Sequence, residues 1–286
     1  MLAGCAATLT QIDAREVAGT LSRASPLPTA LALALDLAQV GLRALTWMIL
    51  LRPAGAPNYG RCLRLVAHSG LASAVVGARA GDALRAHALV DQESVPLGVA
   101  LSVTVVEKTL SIATLVAIVL TAALATRGLP GWASRAVASL ALVGVAAAAA
   151  LLVGRRLGAR VRWLESLPTA LPREGPGRLA LAAATVTLDW LAGIGADLLL
   201  LHALGVRVPA VAAVLLQISV NVAASVPGAP MQLGAFELGA IWVLRSLGAD
   251  GARALSYALA LHALELATAV LAVAAAALYA RAARRA

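Results

Sequence analysis

The sequence predicts an all-α protein that crosses a membrane several times. Of its 286 residues, 61% are hydrophobic and only 13% are charged, and the mean hydropathy is +0.88. These values fit no soluble domain. A helix needs roughly 20 apolar residues to cross a bilayer, and five runs approach or exceed that length. We therefore expect a polytopic bundle of transmembrane helices whose spans are 27–51, 96–124, 136–153, 179–204 and 254–280.

The segments between these runs are too short for a separate catalytic domain. We therefore predict a single integral membrane domain over residues 1–286, with no soluble catalytic domain. Residues 1–10 resemble the last turns of a helix, so we expect that the first helix is truncated. Cys5 and Cys62 have no metal-ligand spacing and indicate no disulfide framework. We predict neither a bound metal nor a cofactor.

The net charge of +9 comes almost entirely from arginine, since Lys108 is the only lysine. In a membrane protein such a charge indicates positive-inside topology and anionic lipid, not nucleic acid. If 62–90 and 211–247 enter the membrane and return, one side has fourteen arginines and the other has seven. The richer side, which includes the C-terminus, is predicted to be cytoplasmic. We expect the protein in the cell inner or plasma membrane.

Two interrupted apolar regions resemble each other, 71–86 and 222–240. Each passes from a short apolar segment through a glycine-containing break into a second short helix. The breaks are predicted at Gly81 and at 227–234. These features predict two re-entrant broken helices, and because three spans separate them, they would form an inverted repeat like those of many transporters. Chance similarity in an alanine-rich chain is the alternative.

Such a break exposes the N-terminus of the following helix, whose N–H groups and dipole attract anions. Arg79 and Arg85 would add charge-assisted hydrogen bonds to a phosphate. A carboxylate is expected in the first turn of each second helix: Asp82 after the first break and Glu237 after the second. In the alternative interpretation these carboxylates only start their helices, and the arginines only anchor the protein at the membrane surface.

Several stretches resemble a known family in their order and spacing. They are GARAGDALR at 77–85, the pair Glu107 and Lys108, VPGAPMQLGAFE at 226–237, and His262 in YALALHALELA. Together they are similar to the lysylphosphatidylglycerol synthase transmembrane-region family, which is also described as a flippase-like domain. The soluble aminoacyl-transferase domain of its best-known members has no counterpart in this sequence. The resemblance thus implies lipid translocation or handling, not lipid synthesis.

The sequence also departs from the family pattern. Gly77 and Ala78 stand where the first motif usually has Pro-Gly, and Met231 stands where the late motif has Gly. Lys108 replaces an arginine, which removes bidentate geometry, and Ser111 stands where an aspartate often follows. These differences affect the anion contacts that the resemblance implies.

The breaks and the resemblance together predict a binding site for the head group of an anionic or aminoacylated phospholipid. Arg79 and Arg85 would hold the head group, the breaks would supply backbone donors, and further polar side chains would line the path. No catalytic residue is predicted. The predicted substrate-binding residues are Arg79, Gly81, Asp82, Arg85, Glu107, Lys108, Pro227, Gly228, Gly234, Glu237 and His262.

Seven charged residues lie inside apolar runs, where each needs a partner or a wet interior. Two interpretations are open. The charges form interhelical ion pairs that fix packing, for example between Lys108 and an aspartate of 179–204, or they relay protons or ions that drive transport. The seven residues are Asp36, Arg43, Glu107, Lys108, Asp189, Asp197 and Glu265.

Two alternatives to lipid translocation are open. The chain is alternatively a membrane subunit or partner of a lipid-modifying or glycan-synthesising enzyme, for which Asp82 is the only acid–base candidate. A third interpretation is a scaffold for assembly, in which the arginines at 79 and 85 affect only abundance and partners. We expect that the protein is not itself an enzyme. The sequence predicts no oligomeric state.

Overall fold

The structure is a computed structural model that describes residues 13–52, 58–125, 176–225 and 234–283, with isolated positions between 131 and 142. Every regular element in these ranges is a helix, so the predicted all-α class is confirmed. The helices are α1 Ala14–Ser22, α2 Pro26–Leu51, α3 Tyr59–Val76, α4 Ala78–Glu93, α5 Leu97–Ala125, α6 Pro176–Ala203, α7 Val211–Ser225, α8 Ala235–Ser246 and α9 Gly251–Ala282.

Four of these helices are long and apolar enough to cross a membrane. They are α2, α5, α9 and the part Gly177–Ala203 of α6. They coincide with four of the five predicted spans, and they confirm a polytopic membrane protein. The fifth predicted span, 136–153, lies outside the described ranges apart from isolated positions.

The break between α3 and α4 lies at Gly77, so the predicted break at Gly81 is wrong. Gly77 has a φ of +122°, a conformation that glycine adopts without the steric cost of a side chain. Its N–H still donates to the carbonyl of Ser73, 2.9 Å away, so the chain turns directly out of α3. Because α4 begins at residue 78, Asp82 is its fifth residue and does not lie in its first turn.

Gly81 has a packing role inside α4. A Cβ at this position would collide with the carbonyl oxygen of Ser69 and with Oγ of Ser73, both in α3. The two helices therefore approach each other closely where glycine provides the space.

The second interrupted region has a helix on either side of it, since α7 ends at Ser225 and α8 begins at Ala235. Gly234 has a φ of +89° and lies directly before α8. Glu237 is in the first turn of α8, as the sequence predicted. Pro227 and Gly228 lie outside the described residues. The re-entrant paths and the inverted repeat stay predictions.

The chain divides into two compact units, and the described residues of the first come from Met1–Gln39, His68–Gly81 and Leu191–Ala275. Its core contains Phe236 and Tyr257, which are 2% and 0% exposed. The prediction of one membrane domain over 1–286 stays a prediction.

The second unit takes its described residues from Val40–Ala67, Asp82–Trp190 and Ala276–Ala286. Its core contains Trp47 at 2% exposure and Leu89 at 0%. The same unit contains four of the seven charged residues that the sequence placed inside apolar runs, namely Arg43, Glu107, Lys108 and Asp189.

Candidate functional site

Four charged side chains of α4 and α5 lie together in the second unit. The Lys108 ammonium is 3.6 Å from Oδ1 of Asp82 and 3.8 Å from Oε2 of Glu107. A guanidinium nitrogen of Arg85 lies 4.0 Å from the same oxygen of Asp82. We call these four residues the Lys108 cluster. All four belong to the predicted site, and two different helices bring them together.

The contacts of Lys108 are longer than hydrogen bonds, which rarely exceed about 3.2 Å between nitrogen and oxygen. Its ammonium has three N–H donors and makes no hydrogen bond within the described part of the chain. The side chain is 50% exposed. Lys108 is therefore attracted by two carboxylates while its donors stay available to a ligand.

Arg85 lies against the buried face of Trp47, with its guanidinium carbon 4.8 Å from the ring centroid. This is a cation–π distance, and the Arg85 side chain is only 12% exposed. Among the described residues, the buried indole N–H of Trp47 and Oε2 of Glu107 have no hydrogen-bond partner. Buried polar groups are almost always paired, so this donor and this acceptor indicate unused binding capacity.

A tighter ion pair occurs in the same unit between α2 and α6. Nε of Arg43 lies 3.1 Å from both carboxylate oxygens of Asp189. The interpretation that paired Lys108 with an aspartate of 179–204 is therefore wrong, because Lys108 contacts Asp82 and Glu107 instead. Next to this pair, the hydroxyls of Thr46 and Thr185 are 2.8 Å apart and also join the two helices.

The exposure of these charges differs by sign. Arg43 and Lys108 are 52% and 50% exposed, whereas Glu107 and Asp189 are 14% and 13% exposed. The more buried carboxylates thus hold two cations that face outward. Arg85 and Asp82 are exceptions, since the ring of Trp47 covers Arg85 and the Asp82 side chain is 38% exposed. This arrangement suits an anionic ligand that approaches from outside the helices.

In the first unit, Asp197 joins three helices. Its Oδ2 accepts a hydrogen bond of 2.8 Å from Gln217 of α7, and its Oδ1 accepts one of 2.7 Å from the hydroxyl of Tyr257 of α9. Asp197 itself belongs to α6 and is 2% exposed. For this aspartate the geometry favours a role in helix packing.

Glu237 and His262, both predicted site residues, are in direct contact in the first unit. Nδ1 of His262 lies 2.7 Å from Oε1 of Glu237, and Oε2 of the same carboxylate accepts a hydrogen bond of 2.7 Å from the Gly234 amide. The ring of Phe236 meets the imidazole edge-on, with 5.3 Å between centroids. Both carboxylate oxygens of Glu237 are therefore hydrogen-bonded. Oε2 caps the N-terminus of α8, and Oε1 links α8 to α9.

The remaining predicted site residues are placed as follows. Arg79 is the second residue of α4, and its side chain lies outside the described part of the structure. Gly81 packs against α3, and Pro227 and Gly228 lie outside the described ranges. Within those ranges, no three His, Cys, Asp or Glu side chains are grouped so that they could hold a metal ion.

Sequence reasoning missed one residue of this site, Trp47, and the ion pair of another, Asp189. Nothing in the sequence marked Trp47 as a site residue, because a tryptophan in an apolar span usually has a packing role. Asp189 was noted as a buried charge, but its partner Arg43 is 146 residues away along the chain.

These features define a polytopic α-helical membrane protein with charged side chains gathered between its helices. The family model described as "Lysylphosphatidylglycerol synthase TM region" matches residues 2–274, so the chain belongs to that family. The resemblance inferred from the motifs is thereby confirmed. No curated protein matches the chain.

Proposed function

We propose that the protein binds an anionic or aminoacylated phospholipid at the Lys108 cluster and moves its head group across the membrane. The observation that carries the proposal is the position of the Lys108 ammonium. It is half-exposed, lies between Asp82 and Glu107, and makes no hydrogen bond among the described residues. Membership in a family named for a lipid synthase is consistent with this lipid-related function.

The chemistry of a phospholipid head group fits the groups of the cluster. A phosphate oxygen would accept charge-assisted hydrogen bonds from Lys108. Oε2 of Glu107 is buried 3.8 Å from Lys108 and makes no hydrogen bond among the described residues. Once a head group takes the place of this carboxylate beside Lys108, Oε2 would accept a hydrogen bond from a hydroxyl or an ammonium of the head group. An anionic lipid and an aminoacylated lipid both offer these partners.

Charge balance explains how the site persists without a ligand. Arg43, Arg85 and Lys108 are matched by Asp82, Glu107 and Asp189, so the group has no net formal charge. Ions are costly at membrane depth unless they are paired, and pairing offsets part of that cost. A head group would replace a carboxylate as the partner of Lys108 and release it again, as transport requires.

The position of Asp82 supports transport over catalysis. Its Oδ1 lies 3.6 Å from Lys108 and 4.0 Å from Arg85, a location suited to positioning two cations. We infer that the protein is not an enzyme and that Asp82 orients the cluster. The arginine bias supports a place in the cell inner or plasma membrane with the C-terminus in the cytoplasm.

Leaflet exchange of a labelled lipid tests this function. The full chain is reconstituted in phosphatidylcholine vesicles, and the exchange of fluorescent phosphatidylglycerol and of its lysylated form is followed. We expect the wild type to exchange at least one of them, and Lys108→Gln to slow exchange by about tenfold through loss of a charge-assisted contact. Lys108→Arg keeps the charge and should retain most of the exchange.

Arg207→Gln is the matched control, because it removes an exposed cation that makes no ion pair among the described residues. It should exchange lipid like the wild type. Absence of exchange for both lipids by folded protein would overturn translocation. A change in lipid composition during the assay that disappears in Asp82→Asn would instead identify an enzyme.

A further inference from the structure

The first unit contains a large pocket that the proposed function does not use. Its volume is about 1000 Å³, and four arginines line it, Arg15, Arg23, Arg245 and Arg253. These residues come from α1, its C-terminal end, α8 and α9, so the fold gathers charges that are far apart in the sequence. We call this cavity the arginine pocket.

The arginine pocket lies where three of the four candidate spans begin or end. It is lined by residues next to the start of α2, at the end of α6 and at the start of α9. The amide of Ser25 donates to the carbonyl of Ala203 over 3.0 Å and ties two of these ends together. Ends of spans lie at the membrane–water interface, where lipid phosphates are found.

Helix α1 forms one wall of the pocket and has the character of an interfacial helix. Its nine residues include Arg15 and Glu16 on exposed positions and Val17 as a buried one. The hydroxyl of Ser256 in α9 donates to the carbonyl of Ala252 over 2.7 Å and lies 3.5 Å from the carbonyl oxygen of Val17, so α1 contacts the end of a span. Helices of this type lie in the head-group layer of a membrane.

Three of the four arginines have no carboxylate partner in the part of the chain that the structure describes. Only Arg253 is paired, with its Nε 3.4 Å from Oδ2 of Asp250. The guanidinium groups of Arg15, Arg23 and Arg245 are exposed and make no ion pair among those residues. Each offers five donors in a planar fork that matches a phosphate.

Other titratable groups line the same pocket. Glu16 and Asp250 contribute two negative charges, and His202 adds an imidazole. Asp250 is engaged, because its Oδ1 accepts the amide of Arg253 over 2.8 Å. The lining still has more positive than negative formal charge.

The predicted topology makes this concentration of arginines unusual. All four belong to the seven arginines assigned to the non-cytoplasmic side, where the positive-inside bias disfavours them. A bound anion gives a local reason for their presence.

We propose that the arginine pocket is a second anion site, which binds the phosphate-bearing head group of an anionic lipid at the membrane surface. Arg15, Arg23 and Arg245 contact the phosphate oxygens. Glu16 lies on the pocket wall, where its carboxylate would accept a hydrogen bond from a hydroxyl or an amine of the head group. The site does not depend on translocation, since it uses none of the residues of the Lys108 cluster.

Photo-crosslinking in membranes tests the proposal. The full chain is placed in phosphatidylcholine nanodiscs with a phosphatidylglycerol that has a photoreactive group near its phosphate, and labelled peptides are identified by mass spectrometry. We expect label in 14–25 and 245–253. Each arginine removed should weaken binding by about fivefold. Arg245→Gln should therefore reduce the label about fivefold. The triple variant, which combines Arg15→Gln, Arg23→Gln and Arg245→Gln, should abolish it.

Controls separate this site from the first one and from soluble phosphate. Arg207→Gln, an exposed cation outside the pocket, should leave the label unchanged, and Lys108→Gln should do the same. Competition by inorganic phosphate but not by unlabelled phosphatidylglycerol would identify a soluble anion as the ligand and overturn the lipid assignment. Equal labelling of these segments in the wild type and the triple variant would overturn the site itself.

Discussion

Nε of Arg43 lies 3.1 Å from both carboxylate oxygens of Asp189, and this pair joins α2 to α6 inside the second unit. Removal of Arg43 leaves a largely buried carboxylate without its cation. We expect Arg43→Gln to lower the free energy of unfolding by about 1–2 kcal/mol, a value reduced from that of a fully buried pair because Arg43 is half-exposed.

A double-mutant cycle checks this prediction. Arg43→Gln combined with Asp189→Asn should cost less than the sum of the two single variants, since the double variant has no unpaired charge. Unfolding is followed in mixed micelles with increasing SDS. Strict additivity of the two changes would show that the ion pair does not contribute to stability.

Gly81 is predicted to be intolerant of a side chain. Its Cβ would meet the backbone oxygen of Ser69, which cannot move as the end of a flexible side chain can. We expect Gly81→Ala to separate α3 from α4 and to cost about 1–3 kcal/mol of stability, as overpacking usually does.

Gly70 provides a matched control in the neighbouring helix. A Cβ there meets nothing within 4 Å, so Gly70→Ala should be neutral or should stabilise the helix by roughly 0.5–1 kcal/mol. Thermal unfolding of both variants in the same detergent makes the comparison. A destabilisation of Gly70→Ala equal to that of Gly81→Ala would contradict the packing assigned to Gly81.

The sequence was sufficient to predict the four spans that the structure describes, because hydropathy and length determine which helices can cross a membrane. It was not sufficient to place the break before α4. Gly77 and Gly81 lie in a similar local sequence, so the sequence cannot distinguish their roles. The structure shows that Gly77 adopts a positive φ, whereas Gly81 packs against α3. The two roles need the same residue for different physical reasons.

The site was predictable in its residue types but not in its pairs. Charges inside apolar runs identified Glu107, Lys108 and Asp189, since ions there need partners. Which partner each one has depends on how helices distant in sequence pack, and nothing in the sequence assigned Arg43 to Asp189. The hydrogen bonds of Asp197 were missed for the same reason.

The hydroxyl of Tyr257 is predicted to stabilise the first unit. Tyr257 is fully buried and donates to Asp197 over 2.7 Å. Tyr257→Phe leaves Asp197 with one fewer donor, so we expect a loss of about 1–3 kcal/mol in the free energy of unfolding.

Tyr279, in the same helix, serves as the control for Tyr257. Its side chain is exposed and its hydroxyl makes no hydrogen bond among the described residues, so Tyr279→Phe should change stability by less than about 0.5 kcal/mol. The two variants are compared by SDS unfolding. Equal effects would show that the Tyr257 hydroxyl bond adds nothing.

Glu237 is predicted to act as a hydrogen-bond acceptor for two groups at once. Glu237→Ala removes the contacts to the Gly234 amide and to His262, and we expect it to cost about 2–3 kcal/mol, at roughly 1 kcal/mol for each hydrogen bond plus the loss of the helix cap. In Glu237→Gln the amide oxygen can still accept from Gly234 while its NH₂ group donates to Nδ1 of His262. That variant should therefore lose less than half as much stability, measured by thermal unfolding. Equal losses would mean that the negative charge at the start of α8, and not the two hydrogen bonds, is what stabilises this end of the helix.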